Sequence, residues 1–169
     1  DQEAFEMAVD TILKAKRIYV IGIRSCAPLA SFLSYYLQLI CEDVTLVNTN
    51  SSSEIFEQLI RIGQDDVVIG ISFPRYSVKT IQTVSFAKNR KAKIIAITDG
   101  AQSPLAKYAD CSIYAGSDMV SFVDSLVAPL SVVNALLAAL SMRYKDSVTD
   151  TMLSMESIWN TMNEYEHID

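Results

Sequence analysis

The sequence predicts an α/β fold, a three-layer α-β-α sandwich in which helices cover both faces of a doubly wound, five-stranded parallel sheet. Two observations carry this prediction. Five short runs rich in β-branched residues recur along the 169-residue chain: IYVIGI (18–23), VTLVN (44–48), DVVIGIS (66–72), KIIAIT (93–98) and CSIYAG (111–116). Several are continuously apolar rather than alternating, as expected of strands covered on both faces. Helical patterns separate the first four runs, and strands alternating with helices make a parallel sheet through crossover connections.

The elements follow in order. Residues 3–15 place Phe5, Ala8, Val9 and Ile12 on one helical face. After the first strand, APLASFLSYYLQLI sets Leu29, Phe32, Leu33, Tyr36, Leu37 and Ile40 on the i, i+3, i+4, i+7 pattern, and Pro28 suits a first-turn position. The stretch 121–143 reads as a helix that is apolar nearly all round, through FV, LV, PL, VV and ALLAAL. Such a helix needs cover on every side, and a partner subunit supplies it, so a homodimer is expected. A last helix spans 147–166, with Val148, Met152, Met155, Trp159 and Met162 in a heptad-like seam expected to dock on the chain's own core. Without internal repeats, low-complexity tracts or long linkers, residues 1–169 read as a single domain with its core at about 17–143 and helical extensions at both ends.

Composition limits the functions. Half the residues are apolar and a fifth are charged, which is a globular composition. A net charge of −6 argues against binding nucleic acid by phosphate neutralisation. Cys26, Cys41 and Cys111 are odd in number and lack CxxC spacing, so neither a disulfide framework nor a metal site is expected, and a reducing cytoplasm is the simplest setting. The start, DQEAFEMAVD, is acidic and has no initiating Met, so the expectation is no signal peptide and a missing upstream segment. Asp124, Pro129 and Asn134 interrupt the most apolar region, leaving no run of about 18 apolar residues for a membrane span.

In an open parallel sheet, ligands sit beyond the carboxyl ends of the strands, where helix N-termini present unpaired N–H groups. The first strand is followed by Gly22-Ile23-Arg24-Ser25-Cys26-Ala27-Pro28, the third by Ser72-Phe73-Pro74-Arg75-Tyr76-Ser77, and the fourth by Thr98-Asp99-Gly100-Ala101-Gln102-Ser103-Pro104. Taken singly, Ser25, Ser77 and Ser103 read as helix caps, Arg24 and Arg75 as solvated cations, and Cys26 as a small core residue. Hydroxyls recurring at three strand ends, two of them with an arginine, read instead as a cradle for a phosphate. The candidate ligand-binding residues are therefore Arg24, Ser25, Cys26, Ser72, Arg75, Tyr76, Ser77 and Thr98. No cofactor is expected. A phosphoacceptor domain is rejected because Arg24-Ser25 and Ser72 stand where acids belong, and GIRSCA keeps only the first glycine of a dinucleotide-binding turn.

Over roughly residues 17–143 the chain resembles a SIS (sugar isomerase) phosphosugar-binding domain. Gly22-Ile23-Arg24-Ser25-Cys26 aligns with that family's Gly-x-Gly-x-Ser, and Ser72-Phe73-Pro74-Arg75-Tyr76-Ser77 with its Ser-x-Ser-Gly-x-Ser/Thr. IIAITDGAQSPLAKYAD (94–110) is similar to its fourth-strand segment. With the flanking helices and MESIW (155–159), the whole resembles the effector domain of RpiR-type transcriptional regulators, in which a helix-turn-helix domain precedes a flavodoxin-like SIS domain. The resemblance implies that Ser25, Cys26, Ser72 and Ser77 bind phosphate. It also implies a homodimeric sensor of a sugar phosphate that controls sugar-metabolism genes and reaches DNA only through the preceding domain. Both motif glycines are replaced here, by Arg24 and Arg75, and the usual serines at 26 and 74 are Cys and Pro. The alternative is a phosphosugar isomerase, which needs a general base. The only histidine, His167, is nearly terminal, and of the acids Asp118 and Asp124 after the fifth strand, Asp124 is expected to cap or brace the structure. No catalytic residue is assigned.

Overall fold

Ile18, Val20, Val67, Ile69, Ile95 and Ile97 belong to one buried cluster, while the intervening Tyr19, Ile21, Val68, Ile94 and Ala96 belong to another. The central strands are thus apolar on both faces, and alternation along each strand divides them between two cores. In the computed structural model, which describes residues 1–49, 51–117 and 123–162, these strands form one parallel sheet. The strands are β1 (Arg17–Gly22), β2 (Val44–Val47), β3 (Asp66–Ile71), β4 (Lys93–Thr98) and β5 (Cys111–Tyr114), in the spatial order β2-β1-β3-β4-β5. The register sets Ile18 beside Val44 and Val67, and Ile69 beside Ile95.

Helices α1 (Gln2–Lys14), α2 (Ala27–Ile40) and α5 (Val127–Arg143) cover the first core with Ala8, Leu33 and Leu136. Helices α3 (Ser52–Gln58) and α4 (Val78–Asn89) cover the second with Ile55 and Val84. A final helix, α6 (Lys145–Met162), packs on α2 and α5. The result is the three-layer sandwich the sequence predicts. At the amino ends of the central strands, Arg17 grips the buried Asp66 with Nε and one terminal nitrogen at 2.9 and 2.8 Å. The Gly63 amide donates to the same carboxylate at 2.8 Å.

Several local expectations are revised. β3 stops at Ile71, so Ser72 belongs to the turn. Tyr36 points outward with Tyr35, because Ser34 and Leu37 take the inner face of α2. The helix expected from 121 begins at Val127; positions 121 and 122, like Asp118, His167 and the end of the 147–166 helix, lie outside the described residues. Nor is α5 apolar all round in effect. Val133, Leu136 and Leu140 are buried, whereas the exposed positions mix small residues (Ala128, Ser131, Ala135 and Ala138) and Asn134 with the apolar Val127 and Met142 near the two ends of the helix. On α6, Val148, Met152, Met155 and Trp159 are half-buried, while Met162 at the end of the seam is exposed. No single helix among the described residues is long and apolar enough to cross a membrane.

Candidate functional site

β1 and β3 are neighbours, yet the chain leaves β1 toward α2 on one face and leaves β3 toward α4 on the other. A crevice opens where two such connections diverge, beyond the carboxyl ends of the strands. Here it is a cleft of about 450 Å³. The β1–α2 turn contributes Arg24, Ser25 and Cys26, the β3–α4 turn Ser72, Arg75 and Ser77, and the approach to α5 contributes Asp124.

The β1–α2 turn is tight. A Cβ on Gly22 would lie 2.8 Å from the Cys26 carbonyl oxygen and 3.1 Å from the Ala30 Cβ, so this glycine is required by close approach of α2. The chain then makes one 3₁₀ turn, Arg24–Cys26, and enters α2 with a proline in its first turn. Arg24 and Ser25 are exposed and Cys26 is buried. No side chain caps α2, so the reading of Ser25 as a cap is corrected. Burial pushes the Cys26 thiol above its ordinary pKa, outweighing hydrogen bonds from the Phe73 backbone and the Ser25 side chain. The sulfur is held as a thiol and is a poor nucleophile.

The β3–α4 turn is braced by its own hydroxyls. Ser72, 2% exposed, accepts the Ser77 amide on Oγ at 3.3 Å. Ser77 caps α4 by accepting the Thr80 amide at 3.4 Å. Both are accepting roles that do not use the hydroxyl hydrogens, which is the half of the group an anion requires. Phe73 is buried and anchors the turn. One terminal nitrogen of Arg75 lies 3.4 Å from each oxygen of Asp124. With the arginine side chain 70% exposed and the aspartate 12%, this is a loose pair worth about 1 kcal/mol or less.

Two candidates do not line the cleft. Thr98 is fully buried, its hydroxyl donating to the Ser72 carbonyl at 2.6 Å. Tyr76 turns toward the end of β4, donating its hydroxyl to the Asp99 carboxylate at 2.9 Å. Burial first, and that hydrogen bond next, raise the pKa of the phenol. Ser103 is not a helix cap. It is buried 2.8 Å from the Thr98 hydroxyl, and β4 and β5 are joined by turns and one 3₁₀ segment rather than an α-helix. Sequence reasoning considered Asp124 only as a brace or base and missed its pairing with Arg75, because a contact across 49 positions leaves no local pattern.

Three non-glycine residues among those described have positive φ: Arg24 at 61°, Arg75 at 66° and Lys91 at 68°. Lys91 follows Arg90, the C-cap of α4, a position where left-handed backbone is ordinary. Arg24 and Arg75 hold the two positions at which the SIS motifs carry glycine. In this chain both positions take the left-handed path without a glycine, at a cost of about 1–2 kcal/mol for each residue. Each turn also gains a guanidinium at the cleft. The lining so carries two cations against one acid in a chain of net charge −6. No group of three or more His, Cys, Asp or Glu among the described residues is placed to hold a metal ion.

Residues 11–139 match the SIS domain family. The sugar isomerase domain of an RpiR transcription factor from Sphaerobacter thermophilus superposes with a TM-score of 0.88 and 29% identity, over 93% of this chain and 87% of that one. The Vibrio vulnificus NanR protein, in a structure complexed with ManNAc-6P, superposes with a TM-score of 0.83 and 18% identity, over 96% of this chain and 62% of that one. An uncharacterized HTH-type transcriptional regulator of Haemophilus influenzae is 27% identical over 155 residues, which are 89% of this chain and 53% of that protein. The chain thus spans about half the length of that relative.

Proposed function

The chain belongs to the SIS domain family, and we propose that it is the effector-sensing part of a longer transcriptional regulator, binding a sugar phosphate in the cleft between the β1–α2 and β3–α4 turns. One observation carries this reading. The cleft gathers Ser25, Ser72 and Ser77 with two guanidiniums at the point where the sheet topology reverses. Hydroxyls that accept from the backbone keep their hydrogens for phosphate oxygens, and a guanidinium adds charge and a planar fork. The one acid in the lining is already engaged by Arg75. Likeness to HTH-type regulators supports the regulatory role, with DNA reached through a separate domain. A soluble cytoplasmic homodimer is the form proposed for the sensor. Exposed Leu153, Ile158 and Met162 on α6 and Tyr35 and Tyr36 on α2 supply apolar surface for the pairing.

Thermal melts test the ligand. An effector that binds only the native state at 100 times its dissociation constant stabilises it by about 2.7 kcal/mol, or roughly 5–10 °C for a chain of this size. Hexose, amino-sugar or sugar-acid phosphates should include one that gives this shift, with the unphosphorylated sugar giving little. Ser72→Ala and Ser77→Ala should each diminish it. Equal shifts with the sugar and its phosphate would sink the proposal. Light scattering on a sizing column tests the dimer, for which a clean monomer is the contrary result.

Asp124 supports a second reading, isomerisation, because its carboxylate lines the same cleft. Aldose–ketose conversion by the purified chain, abolished by Asp124→Asn, would favour the enzyme over the sensor.

A further inference from the structure

We infer that Arg24 and Arg75 are specificity determinants that select a sugar phosphate carrying a second anionic group, such as a carboxylate or another phosphate. This rests on the proposed sugar-phosphate reading and narrows its ligand class. Ser72 and Ser77 are both oriented by backbone amides, a neutral hydroxyl pair for one phosphate on the β3–α4 turn. The guanidiniums add two charges beside that neutral pair. They stand on turns of different strands, so they flank the cleft from its β1 and β3 sides. Arg75 shares the turn of Ser72 and Ser77, and its loose contact with Asp124 gives way readily to a better-aligned phosphate. Arg24 is exposed beside Ser25 on the neighbouring β1–α2 turn and pairs with no acid among the described residues. A phosphate held by Ser72, Ser77 and Arg75 leaves Arg24 as a second cation on the neighbouring turn. A carboxylate or second phosphate answers it with a charge-assisted pair. Both arginines also hold left-handed backbone that glycine adopts without strain, so the conformation gives no reason for the side chain.

Matched ligands decide the matter by isothermal calorimetry on this chain. Each pair is an aldose phosphate and its aldonic acid: glucose 6-phosphate with 6-phosphogluconate, and the ribose and arabinose 5-phosphates with their acids. Fructose 1,6-bisphosphate against fructose 6-phosphate supplies the second-phosphate arm. Wherever a pair binds, the doubly anionic member should bind at least about tenfold tighter, the order expected of a hydrogen bond to a charged group. Arg24→Gly should bring the ratio near one, with the melting temperature of the free protein unchanged or higher, which excludes misfolding as the cause. Equal affinity within every pair that binds, or a preference that survives Arg24→Gly, overturns the inference and leaves the sugar-phosphate reading intact. If no phosphorylated sugar binds at all, the reading beneath it fails, and the inference with it.

Discussion

The Thr98 hydroxyl donates to the Ser72 carbonyl oxygen across 2.6 Å, inside the protein and 26 residues apart in sequence. The bond ties the end of β4 to the first residue of the turn that lines the cleft. Thr98 thus acts on the site through Ser72 rather than at its surface.

Thr98→Val keeps the shape and removes the donor. It should cost about 1 kcal/mol of stability and weaken sugar-phosphate binding by up to about tenfold, although residue 98 does not touch the cleft. Urea melts and calorimetry measure the two effects. An unchanged affinity would show that the turn holds its shape without this bond.

The left-handed arginines make a paired prediction about strain. Arg24→Gly should stabilise the free protein by about 1 kcal/mol, because glycine has no Cβ to clash at φ 61°. Arg24→Ala should not, since alanine keeps the offending Cβ. For a chain of this size the glycine variant should melt roughly 2–4 °C higher. If both variants melt alike, no strain is stored there.

At the opposite end of the sheet, Asp66 has a side chain only 1% exposed and is held by Nε and one terminal nitrogen of Arg17. Asp66→Ala removes the carboxylate from Arg17, which keeps only the Arg61 carbonyl, and from the Gly63 amide, and should cost about 3 kcal/mol. Arg17→Lys loses the planar fork and should fall between that variant and the wild type. Chemical denaturation of the three proteins orders them.

Asp110 gives the fold a pH dependence. Burial alone would raise its pKa, but hydrogen bonds from Lys88 and the Ile94 amide, with the charges of Lys88 and Lys93, more than offset it and hold the carboxyl below its ordinary value. A group lowered on folding stabilises above its unfolded pKa, about 3.9 for aspartate. That contribution is lost as pH falls through the lowered folded value. Asp110→Asn should therefore be less stable than wild type at pH 6, and the gap should close progressively below pH 4. A gap independent of pH would mean that the charge contributes nothing.

The continuous apolar runs made the strands and their parallel arrangement legible, since a strand covered on both faces has no polar side to show. Ser77 was legible as a cap because capping depends on the residues next to it. Ser25 and Ser103 carry the same local signal, yet neither caps a helix, because the tight β1–α2 turn and the 3₁₀ connection after β4 decide otherwise. The outward strip of α5 shows what a pattern leaves out: it combines alanines, which expose little apolar surface, with the exposed Val127 and Met142, and periodicity does not tell them apart. By itself the sequence determined which segments are buried, their periodicity, and the chemistry gathered at the strand ends. Only the tertiary structure decided that Arg24 and Arg75 take a backbone suited to glycine, that Thr98 turns inward to Ser72, and that Asp124 meets Arg75. Local propensity acts over a few residues. These three outcomes depend on two neighbouring strands sending their chains to opposite faces of the sheet, which brings distant turns together and imposes on each a path its own residues would not choose.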